Sequence, residues 1–190
     1  TWELLEKVKE NNPAVVEELL PELLSVGEVQ KVLGSLLQEQ VPIRDMVTIL
    51  EALADAARVS RDLDYLVGNV RQALSRTISK QHARDGKIVA VTLHPQLEQK
   101  LMEAIQPTSQ GLFPAVAPEV AREVINQLGQ AVKKAATRGV QPVLLCSTRL
   151  RLPLRRLLQR SLAELPVLAY NELELGLEVE AVEAVNISEN

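Results

Sequence analysis

Val41-Pro42-Ile43-Arg44-Asp45-Met46-Val47-Thr48-Ile49-Leu50-Glu51-Ala52-Leu53-Ala54-Asp55 reads as one amphipathic helix. Pro42 suits a first helical position, where its missing N–H would have no intrahelical partner, and it biases Val41 toward an extended entry. A helix is therefore predicted to start at Pro42. Ile43, Met46, Ile49, Leu50, Leu53 and Ala57 recur at three- and four-residue steps, while Arg44, Asp45, Thr48, Glu51 and Asp55 take the opposite side. One face packs and the other is wet.

Upstream and immediately downstream the same period persists. Trp2, Leu5 and Val8 open a first helix, and Pro13 with Val15, Val16, Leu19 and Leu20 marks a second, short one. Leu33, Leu36 and Leu37 continue a helix that begins near Val26. Leu63, Leu66, Val67, Val70, Leu74 and Ile78 set out a further helix from about Arg61 to Ser79. No two-residue alternation interrupts these segments, so residues 1–82 are expected to form an all-helical subdomain.

The pattern changes at Asp85-Gly86, a turn pair followed by the β-branched run Lys87-Ile88-Val89-Ala90-Val91-Thr92-Leu93. His94-Pro95 leads into a helix carrying Leu97, Leu101, Met102 and Ile105, and Pro118 starts another that reaches Arg138-Gly139. Val143 to Cys146 reads as a buried strand, Pro153 to Ala163 as a basic helix, and Val167-Leu168 as a short strand. Glu178 to Val185 alternates acidic and apolar, the mark of a half-buried edge strand whose glutamates discourage unwanted pairing. Strands alternating with helices imply an α/β subdomain over residues 83–190 with a small mixed sheet, joined to the helical part between about residues 80 and 86. The fold class is thus α/β overall, in an α+β bipartite arrangement. Gln106 to Ala117, with two prolines and a glycine, reads as a mobile loop.

Composition excludes several classes of function. The chain has 190 residues, 46% of them hydrophobic, and only Trp2, Tyr65, Phe113 and Tyr170 are aromatic. That supports a substantial aliphatic core and leaves no aromatic platform for stacking bases or sugars. A net charge of −4 argues against general nucleic-acid binding, which rests on neutralising phosphates. No apolar run approaches the roughly 18 residues of a membrane helix. One cysteine, Cys146, forms no internal disulfide and fits a reducing compartment.

No chemistry assembles convincingly. Cys146-Ser147 at a strand end and His94 after another strand would be the ingredients of nucleophilic catalysis, but no glycine-flanked elbow surrounds Ser147. A cysteine after Pro-Val-Leu-Leu is usually a small buried residue, and a histidine before Pro is usually a turn or helix-start residue. His82, His94 and a lone cysteine make no zinc set, no loop has calcium-ligand spacing, and the eight glycines form no phosphate cradle. No enzyme activity and no cofactor are expected. The turn from Gln38 to Arg44 has the size of a helix-turn-helix, yet Asp45, Glu51 and Asp55 on its second helix suit a phosphate-lined groove poorly. Arg149, Arg151, Arg155, Arg156 and Arg160 crowd one segment, and Glu172, Glu174, Glu178, Glu180 and Glu183 crowd the next. Pairing between these two runs is the plainer reading, and an acidic partner or anionic membrane the alternative.

The stretch Val41 to Asp55, together with Asn12-Pro13-Ala14-Val15, Gly27 to Leu33, Val70 to Ile78, Pro142 to Cys146 and Pro166 to Leu173, resembles, in order and spacing, the cytoplasmic domain of the export gate of type III secretion. Asn12 to Val15 and Tyr170-Asn171-Glu172-Leu173 lean toward the flagellar branch rather than the virulence branch. The resemblance implies a C-terminal part of a longer inner-membrane protein, lying at the cytoplasmic face. It implies a homo-oligomeric ring that receives flagellar chaperone–substrate complexes and meets other export-apparatus proteins, the secretion ATPase complex among them. The alternatives are the equivalent virulence protein and a plain structural module without partner contacts. Arg44, Asp45, Thr48 and Glu51 are the candidate subunit contacts, because resemblance is dense there beyond the needs of core packing. Tyr170, Asn171 and Glu172 are the candidate partner contacts, because a tyrosine among aliphatic strands offers an amphipathic surface.

Overall fold

The computed structural model describes residues 1–188, which divide into two compact units, Thr1–Ile78 and a second from Ser79 onward. The first is helical: α1 (Trp2–Asn11), α2 (Pro13–Leu19), α3 (Val26–Gln38), α4 (Met46–Ala57), α5 (Leu63–Ala73) and the first half of α6 (Ser75–His82). Its core is aliphatic, with Leu19, Leu24, Val29, Val32, Leu36, Ile49, Leu50, Leu53, Leu66 and Val70 buried. Each such side chain contributes on the order of 1.5–3 kcal/mol by leaving water. Trp2 is not among them and stands 61% exposed.

Helix ends follow local chemistry. Ser25 and Glu28 form a reciprocal capping box at the start of α3, with Oγ accepting from Glu28 N–H at 3.1 Å and the Glu28 carboxylate from Ser25 N–H at 3.0 Å. That amide, and the Arg61 guanidinium 2.6 Å away, hold the Glu28 carboxyl below the usual carboxylate range. The far end of α3 closes in a Schellman arrangement: Val41 N–H bonds Leu36 C=O, Gln40 N–H bonds Leu37 C=O, and Gln40 takes φ +60°.

Three expected boundaries are corrected. Helix α4 starts at Met46, not Pro42, because Asp45 is its N-cap: the carboxylate accepts from Thr48 N–H at 3.2 Å and from the Thr48 hydroxyl at 2.6 Å. Pro42 belongs to the connector fixed by the end of α3. The helix expected from Arg61 to Ser79 is two, capped by Asp62 and interrupted at Leu74, whose amide is shared between Val70 and Arg71 carbonyls. The basic helix, α9 (Thr148–Leu158), starts well before Pro153. Leu150, Leu154 and Leu158, four apart and fully buried, hold the turns on either side of the proline.

The second unit carries β1 (Lys87–Leu93), α7 (Pro95–Glu103), β2 (Ile105–Thr108), β3 (Gly111–Pro114), α8 (Pro118–Thr137), β4 (Val143–Cys146), α9, β5 (Val167–Ala169), a 3-10 turn (Tyr170–Glu172) and β6 (Glu178–Val185). Strands run β5-β4-β1-β6, every neighbouring pair parallel, so β6 lies at an edge. Separate from this sheet, β2 and β3 pair antiparallel as a hairpin where a mobile loop was expected. Its prolines and glycine hid it, and its anchor is remote in sequence, Arg156 Nη1 donating to Leu112 C=O at 2.9 Å. Val91, Leu93, Leu97, Leu101, Val124, Leu128, Leu144, Leu150, Leu154 and Val167 build one core with α7, α8 and α9.

Candidate functional site

Helix α4 buries Met46, Ile49, Leu50 and Leu53 and turns a polar stripe outward. Arg44, Asp45, Glu51 and Asp55 are exposed and Thr48 is half-buried. Spacings of three and four place Thr48, Glu51 and Asp55 along one side of α4, and Arg44 and Asp45 precede its first turn. Asp45 and Thr48 are already bonded to each other, so they shape the helix start, whereas Arg44, Glu51 and Asp55 present charge to solvent.

Among the residues singled out near the end of the chain, Tyr170 (51% exposed) and Asn171 are at the surface. Glu172 is not: it is 2% exposed, and its expected role as a surface contact is corrected. One carboxylate oxygen accepts from Ala169 N–H at 2.9 Å and the other lies 3.8 Å from Arg151 Nε, a long ion pair between two buried side chains. Arg151 Nη1 donates to Val167 C=O at 3.1 Å. Ser79 Oγ donates to Glu172 C=O at 3.2 Å and accepts from Glu174 N–H at 2.9 Å. The turn that displays Tyr170 and Asn171 is thus held from beneath by β5, α9 and Ser79. Partial burial, with Glu98 and Cys146 nearby, pushes the Tyr170 phenol up, so it stays a neutral hydrogen-bond donor.

The arginine run is largely internal wiring. Arg151 reaches β5, Arg155 Nη1 donates to Ala163 C=O at 3.0 Å, and Arg156 holds the hairpin. Arg149 and Arg160 remain exposed. The pairing read from sequence materialises between Arg151 and Glu172, while Glu180 pairs with Lys87 at 2.6 Å.

The catalytic alternative finds its parts occupied. Cys146 is buried, and burial pushes its thiol well up, away from the nucleophilic thiolate. The Ser147 hydroxyl donates to Met102 Sδ at 3.1 Å, and His94 Nδ1 accepts from Gln96 N–H at 3.2 Å as the N-cap of α7. No group of three or more His, Cys, Asp or Glu placed to hold a metal occurs among the described residues. No helix among them is long and apolar enough to cross a membrane.

The FHIPEP family model matches residues 1–178. The flagellar biosynthesis protein FlhA of Bacillus subtilis (strain 168) is 37% identical over 188 residues, 98% of this chain and 28% of that protein. Among solved structures, Shigella flexneri MxiA superposes with a TM-score of 0.88 at 25% identity, over 97% of this chain and 60% of that one. Nonameric EPEC SctV-C superposes with a TM-score of 0.86 at 26% identity, over 96% of this chain and 55% of that one. The chain spans about a quarter of the length of the curated relatives it matches.

Proposed function

The chain belongs to the FHIPEP family, and from that membership we propose that it is the C-terminal part of the cytoplasmic domain of a flagellar type III protein export gate. In this reading it works at the cytoplasmic face of the bacterial inner membrane. It helps build the ring that receives chaperone–substrate complexes and meets other export-apparatus proteins, the secretion ATPase complex included. It performs no covalent chemistry.

The observation that carries this reading is 37% identity to B. subtilis FlhA along 98% of the chain, joined to a fold it shares with nonameric EPEC SctV-C. The exposed charge at and just before α4 supports a subunit contact among Arg44, Asp45, Thr48 and Glu51, because Arg44 and Glu51 are exposed and serve no packing role. The pinned turn supports a partner contact, because it offers Tyr170 in a fixed pose and so lowers the ordering cost of binding. Close structural likeness to MxiA favours the virulence export apparatus as second reading.

Calorimetric titration of flagellar chaperone–substrate complexes into this chain and into the whole cytoplasmic domain tests the proposal. Binding to this chain that is lost in Tyr170→Ala, with the fold intact, places part of the docking surface here. Binding to the longer domain only assigns these residues to scaffolding, and binding to neither refutes the docking role.

A further inference from the structure

Strand β6 ends the sheet, and among the described residues no strand lies beyond it. Its first half, Glu178-Val179-Glu180-Ala181, is regularly registered with Lys87 to Ala90 and is exposed on both faces, Val179 by 40%. Glu178 N–H donates inward to Gly86 C=O at 3.0 Å. Consecutive residues of a strand turn their amides to opposite edges, so Val179 and Ala181 direct theirs outward. The register shift opposite Ala90 and Val91 gives β6 one additional residue, Val182, and ends the regular stretch. What remains is a short ladder with an open side.

We propose that this open edge takes an extended segment of a protein partner as a fifth strand, with lysine or arginine at alternate positions and small or β-branched residues between. The chemistry is set by β6 itself. Glu178 and Glu180 share one face, and β1 already presents a cation to that row from the inner side, with Lys87 Nζ 2.6 Å from Glu180. An incoming strand with a lysine opposite Glu178 repeats the same cross-strand pairing from the outer side. Val179 and Ala181 on the other face accept an apolar neighbour. A second copy of the same edge would set glutamate against glutamate, so the row that invites a basic strand also rejects self-pairing. Main-chain bonds supply the attachment and the alternating charge supplies the choice. This inference goes beyond the export-gate reading and stands without it.

The test uses the whole chain and a capped Lys-Val-Lys-Val-Lys-Thr peptide, followed by amide hydrogen exchange and by affinity. Two controls keep the charge: a peptide of the same sequence with alternate backbone N-methyl groups, and a scrambled one with its lysines contiguous. The expected result is slowed exchange at the Val179 and Ala181 amides with the first peptide only. Glu178→Lys, checked as folded by the same spectra, is expected to weaken binding by about tenfold or more. Equal binding of either control means attraction by bulk charge and overturns the proposal. So does protection elsewhere, or no binding at millimolar peptide.

Discussion

Glu172 shows how a residue's role can invert between sequence and structure. In sequence it is one of a series of acids beside an exposed tyrosine; in the fold it is buried, caps Ala169 N–H and faces Arg151. Nothing in its neighbours along the chain announces that partner, because arginine and glutamate meet only after α9 and β5 have packed. The consequence is measurable. Glu172→Ala leaves a buried guanidinium without its counter-charge and the Ala169 amide without an acceptor, and is expected to cost about 3 kcal/mol in urea denaturation. Glu172→Gln retains the acceptor and should cost less. If the two variants are equally stable, the capping bond is irrelevant; if neither differs from the parent, the buried pair does not hold the turn. Cys146 was legible at this scale, since a cysteine closing an apolar strand run is most simply a small core residue, and it is fully buried.

Among the elements, the helices opened by Pro13, Pro95 and Pro118 lie where the sequence placed them, whereas the start of α4, the break at Leu74, the start of α9 ahead of Pro153 and the β2–β3 hairpin do not. Strands β1, β4 and β6 lie where their β-branched or alternating runs placed them. The start of α4 was misplaced because Pro42 and Asp45 are both good helix openers, and the capping carboxylate, which satisfies an orphan amide, prevailed over a ring that only presets φ. The β2–β3 hairpin was missed because its stability comes from outside it, through Arg156. Gly111 carries that dependence: at φ +107° it tolerates no Cβ without strain, and a Cβ there would stand 2.7 Å from the Arg156 guanidinium. Gly111→Ala is therefore expected to lose about 2 kcal/mol in denaturant melts. Part of that loss should vanish in an Arg156→Ala background, where the steric conflict is gone. A full loss in both backgrounds would assign the cost to the backbone and not to the clamp.

For the molecule as a whole, the hydrophobic period changes at Asp85-Gly86, helical before it and alternating with strands after it, while the compact units part several residues earlier, between Ile78 and Ser79. A contact surface is not legible in the same way, because exposed charge has no periodic signature that separates a contact from a solvated face. The exposed charge at and just before α4 allows the two to be told apart. Arg44→Glu should leave the melting temperature nearly unchanged, as surface substitutions away from caps and packing do within about 0.5 kcal/mol. The same change should reduce ring formation by the whole cytoplasmic domain, read by light scattering. Undiminished ring formation would remove Arg44 from the subunit contact. Asp45→Ala is the instructive contrast, because it removes a cap worth about 1 kcal/mol and weakens the helix whatever it touches. The indole of Trp2, in solvent at the first turn of α1, has one last consequence: as the chain's single tryptophan, it ties the fluorescence of the molecule to its rim. Its emission barely registers the melting of either aliphatic core and responds instead to whatever comes to shelter that first turn from water.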